Sequence, residues 1–259
     1  MALSPSETDD LRAAKAILEN PGLAAKVSSF VGTPIEKVLK KLPESMTAMV
    51  NDVTRKSIEK ALDIALLTMD SDERGSSSNW WHKLAVAATG AGGGAFGLPA
   101  LAIELPVSTT IMLRSIADIA RSEGEDLRCP DVKLQCVQVL ALGGKSKSDD
   151  GTESGYFAAR AALAKSISEA AAHVTKKGLT QHGAPAIVRL ISQIASRFSI
   201  VVSEKAAAQA VPVVGAFGGA AINSLFIAHF QDMGRGHFIV RRLERLHGQE
   251  EVRRLYDEI

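Results

Sequence analysis

The sequence predicts an all-α fold, a compact multi-helix bundle with two glycine-rich hydrophobic helices packed at its centre. Three observations carry this reading. Apolar residues recur at intervals of three and four along most of the chain. Helix starts are marked by boxes of the Ser/Thr-Pro-x-Glu type. No stretch shows the apolar–polar alternation of a strand, and no glycine loop stands between a strand and a helix.

The elements follow in order. Ser4-Pro5-Ser6-Glu7 is a capping box with proline at the first helical position, and Leu11, Ala14, Ile17 and Leu18 give the first apolar face. Thr33-Pro34-Ile35-Glu36 repeats the device before Ile35, Val38, Leu39 and Leu42. A longer helix is expected over 43–69, where Met46, Met49, Val50, Val53, Ile58, Leu62, Ala65, Leu66 and Met69 recur at three and four. Ser71–Asn79 is a loop by composition. A glycine-rich stretch follows, then helices over 106–123 and 130–142, and a polar loop over Gly143–Gly151. Helices over 154–176 and 185–210 are rich in alanine. The last long helix is expected from Val213 to His247-Gly248, with a short one running to Ile259. The two loops are short enough for one compact domain. The expected organisation is therefore residues 1–79 as N-terminal helices laid against a helical domain of residues 80–259.

Composition narrows the function. The chain has 259 residues and a formal net charge of +1, with 46% hydrophobic residues. Near-neutrality argues against a nucleic-acid binder, since phosphate binding needs a basic excess. Cys129 and Cys136 would lie about 10 Å apart along one helix, too far to bridge. They read as reduced thiols of a cytosolic protein. The start MALSPSETDD is acidic and lacks a signal-peptide pattern. The expected location is cytoplasmic, in association with the inner face of the membrane.

Two uncharged stretches are the best lead to function. Leu84 to Leu113 carries one charge, Glu104, and holds the cluster GAGGGAFG at Gly90–Gly97. Ala206 to Ala228 carries none and holds GAFGG at Gly215–Gly219. Gly90 and Gly94, Gly93 and Gly97, and Gly215 and Gly219 are each four apart, which lines small residues along one helix face. In a membrane such a face pairs helices; in water it makes a tight buried crossing. Length allows either. Prolines 99, 106 and 212 disfavour spanning, whereas Trp80-Trp81 resemble an interfacial anchor.

These residues resemble a known family. GAGGGAFGLPALAIELPVSTTIMLRSIADIARSEGEDL followed by VLALGG, the block Tyr156–Arg160, and GGAAINSLFIAHFQDMGRGHFIVRRLE over Gly218–Glu244 are similar to the EcsC family. The resemblance runs from about Trp80 to Tyr256. The family is named for a gene beside those of an ABC exporter, which leans toward a membrane-proximal accessory role without saying what the protein does. The resemblance implies no reaction and no cofactor.

The polar residues allow three functional classes. Glu104 shares a helix face with Ser108, Ile111 and Ser115, and Arg114 and Asp118 are four apart. Glu104, Arg114 and Asp118 are expected in a buried polar cluster with Asn223, His229, Asp232, His237 or Arg241 of the last long helix. A carboxylate in so apolar a stretch must find a partner or stay protonated. His229 and Asp232, three apart, form half a metal site, yet His229 also falls on an apolar stripe, where a histidine is more often a core residue. No HExxH, P-loop, GxSxG or complete ligand set occurs, and no metal or cofactor is expected. Gly234 and Gly236 flank Arg235 and suit a close helix approach. The arginines 241, 242, 245, 253 and 254 alternate with acids and read as a solvated, self-paired face. The expected function is a non-enzymatic membrane-proximal accessory or binding protein. It contacts membrane, a membrane-protein partner or a hydrophobic ligand through the glycine-rich helices. The alternatives are a soluble lipid-binding module, or a metal-dependent hydrolase using Glu104, His229, Asp232 and His237.

Overall fold

A computed structural model describes residues 3–19, 22–32, 34–68, 97–143, 155–177, 184–211 and 215–259. Among these residues the chain forms ten helices and no strands. They are α1 (Pro5–Leu18), α2 (Leu23–Val31), α3 (Ile35–Leu39), α4 (Glu44–Thr68) and α5 (Gly97–Ser122). After these come α6 (Pro130–Leu142), α7 (Gly155–Lys177), α8 (Pro185–Gln209), α9 (Gly215–His247) and α10 (Gln249–Glu258). The all-α expectation is met.

Local chemistry explains the boundaries. The Ser4 hydroxyl accepts from the Glu7 amide at 3.3 Å, and the Glu7 carboxylate accepts from the Ser4 amide at 2.7 Å, which closes the capping box of α1. Helix α2 has no counterpart in the sequence reading. Its N-cap, Gly22, offers no side chain, and Gly32 ends it at φ +70°. Thr33, expected to cap α3, lies outside the described residues. The first amide of α3, on Ile35, donates to the Ser28 hydroxyl at 3.0 Å. Helix α5 begins at Gly97 rather than at the expected Pro106, which lies inside it. The proline removes the hydrogen bond to the Ala102 carbonyl. Ala102 is exposed, so water reaches that carbonyl at little cost.

Helix α8 is central, packed upon by α2, α3, α4, α5, α6, α7 and α9. Its apolar stripe, Leu190, Ile191, Ile194, Phe198, Val201 and Val202, is buried. By length and composition, α8 is the one helix among the described residues long and apolar enough to cross a membrane. The main apolar core joins residues of α2, α3 and α4 to those of α5 through α9. A smaller core unites α1, the start of α7, the end of α9 and α10 around Tyr156, Phe157 and Tyr256.

The long helix α9 runs antiparallel to α8, with Asn223 opposite Lys205 and Phe226 and Phe230 against Phe198. It runs parallel to α5, with Gln231 donating to Ser115, Gly234 beside Ile116 and Arg242 on Glu123. Glycines permit close approaches at two points of α9. A Cβ on Gly236 would lie 2.7 Å from Leu18 Cγ and 3.3 Å from the Ala14 carbonyl of α1. One on Gly234 would lie 3.3 Å from Ile116. The close helix approach expected at this pair is present. Gly219, read as a close-packing residue, has no atom of the described residues within 4 Å of where a Cβ would stand. Gly90, Gly93 and Gly94 lie outside the described residues, as does their pairing with Gly215.

Candidate functional site

The polar centre of the glycine-rich end is built around Lys205, which the sequence reading did not single out. Its side chain is 0% exposed. The ammonium donates to Glu104 Oε1 at 2.7 Å and to Asn223 Oδ1 at 2.8 Å, and it sits 4.5 Å from the centroid of the Phe226 ring. The second Glu104 oxygen accepts from Gln209 Nε2 at 3.2 Å. Three helices thus meet at one ion pair: α5 supplies Glu104, α8 supplies Lys205 and Gln209, and α9 supplies Asn223. Burial pulls the Lys205 pKa down and Glu104 holds it up. Two donors of the ammonium and both carboxylate oxygens of this pair are engaged internally, so it acts as a clamp.

The expected link between Glu104 and Asn223 therefore exists, with Lys205 between them. A signal for Lys205 was present. Phe198, Val201, Val202 and Lys205 follow at three and four, which sets a cation on a buried stripe.

The other expected members lie elsewhere. Asp118, with its side chain 74% exposed, pairs with Arg121 at 2.7 Å and takes no part in a buried cluster. Arg114 is partly buried and is not among the groups that bond Glu104 in the clamp. Arg241 binds the buried Glu125 at 2.7 Å, and Arg245 binds the same carboxylate. Arg242 reaches Glu123 at 2.8 Å and Asp10. The reading of these three as a solvated, self-paired face is corrected: they fasten α9 to the turn after α5 and to α1. Arg254 does pair within its own helix, with Glu251 and Glu258.

The residues of the hydrolase alternative diverge. His229 is buried and its Nε2 lies 3.1 Å from the Gly143 carbonyl at the end of α6, so Nε2 carries the proton. Burial lowers its pKa to about 4. A Cβ on Gly143 would lie 2.6 Å from that Nε2, so the contact requires glycine. His237 is buried against Tyr156, with the hydroxyl 3.0 Å from Nδ1. Arg160 donates to the same hydroxyl and forms a two-pronged pair with Glu244 at 2.7 and 2.9 Å. The Tyr156 proton therefore goes to His237 Nδ1. Burial holds the His237 pKa well below its ordinary value. Asp232 faces outward to Lys26 and Arg235. No group of three or more His, Cys, Asp or Glu among the described residues is placed to hold a metal.

The blocks that carried the resemblance meet in space, Tyr156 and Arg160 on His237 and Glu244, and Glu104 through Lys205 on Asn223. The EcsC family model matches residues 12–243, most of the chain. The chain belongs to the EcsC protein family. The match begins well before Trp80, so the EcsC unit takes in part of α1 and all of α2 to α4, which the resemblance had left aside. No curated protein and no solved structure matches the chain.

A second carboxylate was also missed. Glu204, beside Lys205 on α8, accepts from the Ala24 amide at 3.1 Å and so caps α2, whose own N-cap is glycine. Burial pushes its pKa up to about 7, with Glu36 of α3 adding repulsion against the Ala24 hydrogen bond.

Proposed function

We propose that this EcsC-family protein is a membrane-proximal binding protein whose glycine-rich end meets a lipid surface. A membrane-protein partner or a lipid-like ligand would engage the same face. The supporting observation is the inward turn of Glu104. Between Gly97 and Leu113 of α5 and between Gly215 and Gln231 of α9, Glu104 is the one acidic or basic side chain of the Asp, Glu, Lys and Arg types. It is spent on Lys205, and its side chain is 23% exposed. The neighbouring Ile103 is 61% exposed, and Ala102, Ala220 and Ala228 are also exposed. The clamp holds three helix ends together while leaving an uncharged outer surface, the kind that marks a contact site. Cys129 and Cys136 as free thiols suit the cytoplasmic side.

Cell fractionation with native mass spectrometry of the purified protein tests this. The expected result is sedimentation with membranes and co-purified lipid. A protein wholly in the soluble fraction and free of lipid would overturn the reading.

A further inference from the structure

We infer that the corner between α2 and α3 is a headgroup contact for an anionic bilayer, in which Phe30 enters the interface and Lys37, Lys40 and Lys41 meet lipid phosphates. This rests on the membrane-proximal reading above and names the lipid class and a second point of contact.

The apolar stripe of α2 runs off the edge of the core. Leu23 and Val27 are fully buried, but Phe30, the next position on that face, is 54% exposed. Just beyond the turn at Gly32, α3 buries Ile35 completely and packs Val38, Leu39 and Leu42 against the core. Lys37, Lys40 and Lys41 are three and four apart and share the opposite side, all exposed. Among the described residues none of the three has an ion pair or side-chain hydrogen bond. Most other basic groups near the ends of α1, α9 and α10 are already committed. Arg241, Arg242 and Arg245 hold Glu123, Glu125 and Asp10, and Arg254 holds Glu251 and Glu258.

Position ties this corner to the uncharged end. Glu204 caps α2 and lies within electrostatic reach of Glu36 on α3, and it is the residue next to Lys205 of the clamp. These links set α3 against the stretch of α8 that carries the clamp, and on our reading Lys37, Lys40 and Lys41 meet the headgroups when the apolar end meets a bilayer. Glu36 and Glu44 are the acidic neighbours of this corner, so its three lysines leave a net charge of one positive, and Glu36 repels Glu204 rather than pairing with a lysine. Basic residues near an anionic surface add about fivefold in affinity each, so three give roughly a hundredfold at low salt.

The test is flotation of the full chain with vesicles of phosphatidylcholine alone and with vesicles in which part of it is replaced by phosphatidylglycerol. Wild type is compared with the triple variant Lys37→Gln, Lys40→Gln, Lys41→Gln and with Phe30→Ser, each first shown to unfold at the wild-type temperature. The expected result is stronger, salt-sensitive binding of wild type to the anionic vesicles. The triple variant should lose at least about tenfold there, and Phe30→Ser should weaken binding to both vesicle types. Equal flotation of wild type and triple variant with anionic vesicles would overturn the inference while leaving the membrane reading intact. No flotation of wild type with either vesicle would overturn both.

Discussion

Removing Glu104 should cost far more than removing Lys205 and Glu104 together. Lys205 is fully enclosed, and its ammonium has Glu104, Asn223 and the face of Phe226 as neighbours. Glu104→Gln would leave a cation with no countercharge where water does not reach. Breaking a buried pair in this way costs about 3–5 kcal/mol, a large part of an ordinary domain's stability. Lys205→Met should cost less, toward the lower end of that range, because the side chain of Glu104 keeps 23% of its surface in solvent and keeps Gln209. The double variant Glu104→Gln, Lys205→Met removes both charges and leaves mainly the partly exposed Asn223 without its donor, a loss of about 1 kcal/mol. Urea unfolding of the four proteins closes a double-mutant cycle, and the expected coupling is at least about 2 kcal/mol. Additive costs, or a Glu104→Gln variant within about 0.5 kcal/mol of wild type, would refute the assignment of Lys205 as a buried, charged clamp.

Other substitutions read other parts of the fold. Glu204 has a folded pKa of about 7 against an ordinary 4.5. The native state therefore holds its proton where the unfolded chain has lost it. The resulting stability is present in full below pH 4.5 and is lost as pH rises through 7, up to about 3 kcal/mol. Urea midpoints should fall across that window, and Glu204→Gln should flatten the fall; an unchanged pH profile in the variant would contradict this. Gly236→Ala should destabilise by about 1–3 kcal/mol through Leu18 and the α1 backbone, whereas Gly219→Ala should gain up to about 1 kcal/mol from helix propensity. Thermal melts moving the two variants in the same direction would count against the packing described. Arg160→Lys loses the two-pronged contact with Glu244, with an expected cost of about 1–3 kcal/mol in chemical unfolding.

Local signals in the sequence were faithful where they had a local cause. The capping box at Ser4–Glu7 closed as written, and α9 ended at His247 before Gly248, whose φ of +88° requires glycine. Gly234 and Gly236 did admit neighbouring helices. Signals with a distant cause were misread. Helix α2 has a nine-residue body and a glycine cap, and it depends on a carboxylate 180 residues away for its first turn. Pro106 looked like a helix start because its cost depends on whether the Ala102 carbonyl faces water, and that is settled only by packing. Arg241, Arg242 and Arg245 sit among acids in sequence and so looked self-paired, yet their partners come from the turn after α5 and from α1. Glu104 was correctly expected to need a partner, but the partner on α8 could not be named from spacing within α5 or α9.

The central claim is that the uncharged end of α5 and α9 meets lipid. It is tested most directly by vesicle flotation of Ile103→Asp beside Leu246→Asp. Leu246, 64% exposed, lies at the far end of α9, so the two substitutions place the same charge at opposite ends of the molecule. The expected result is that Ile103→Asp loses vesicle binding while Leu246→Asp binds like wild type. Equal binding by both variants, or loss in Leu246→Asp alone, would contradict it.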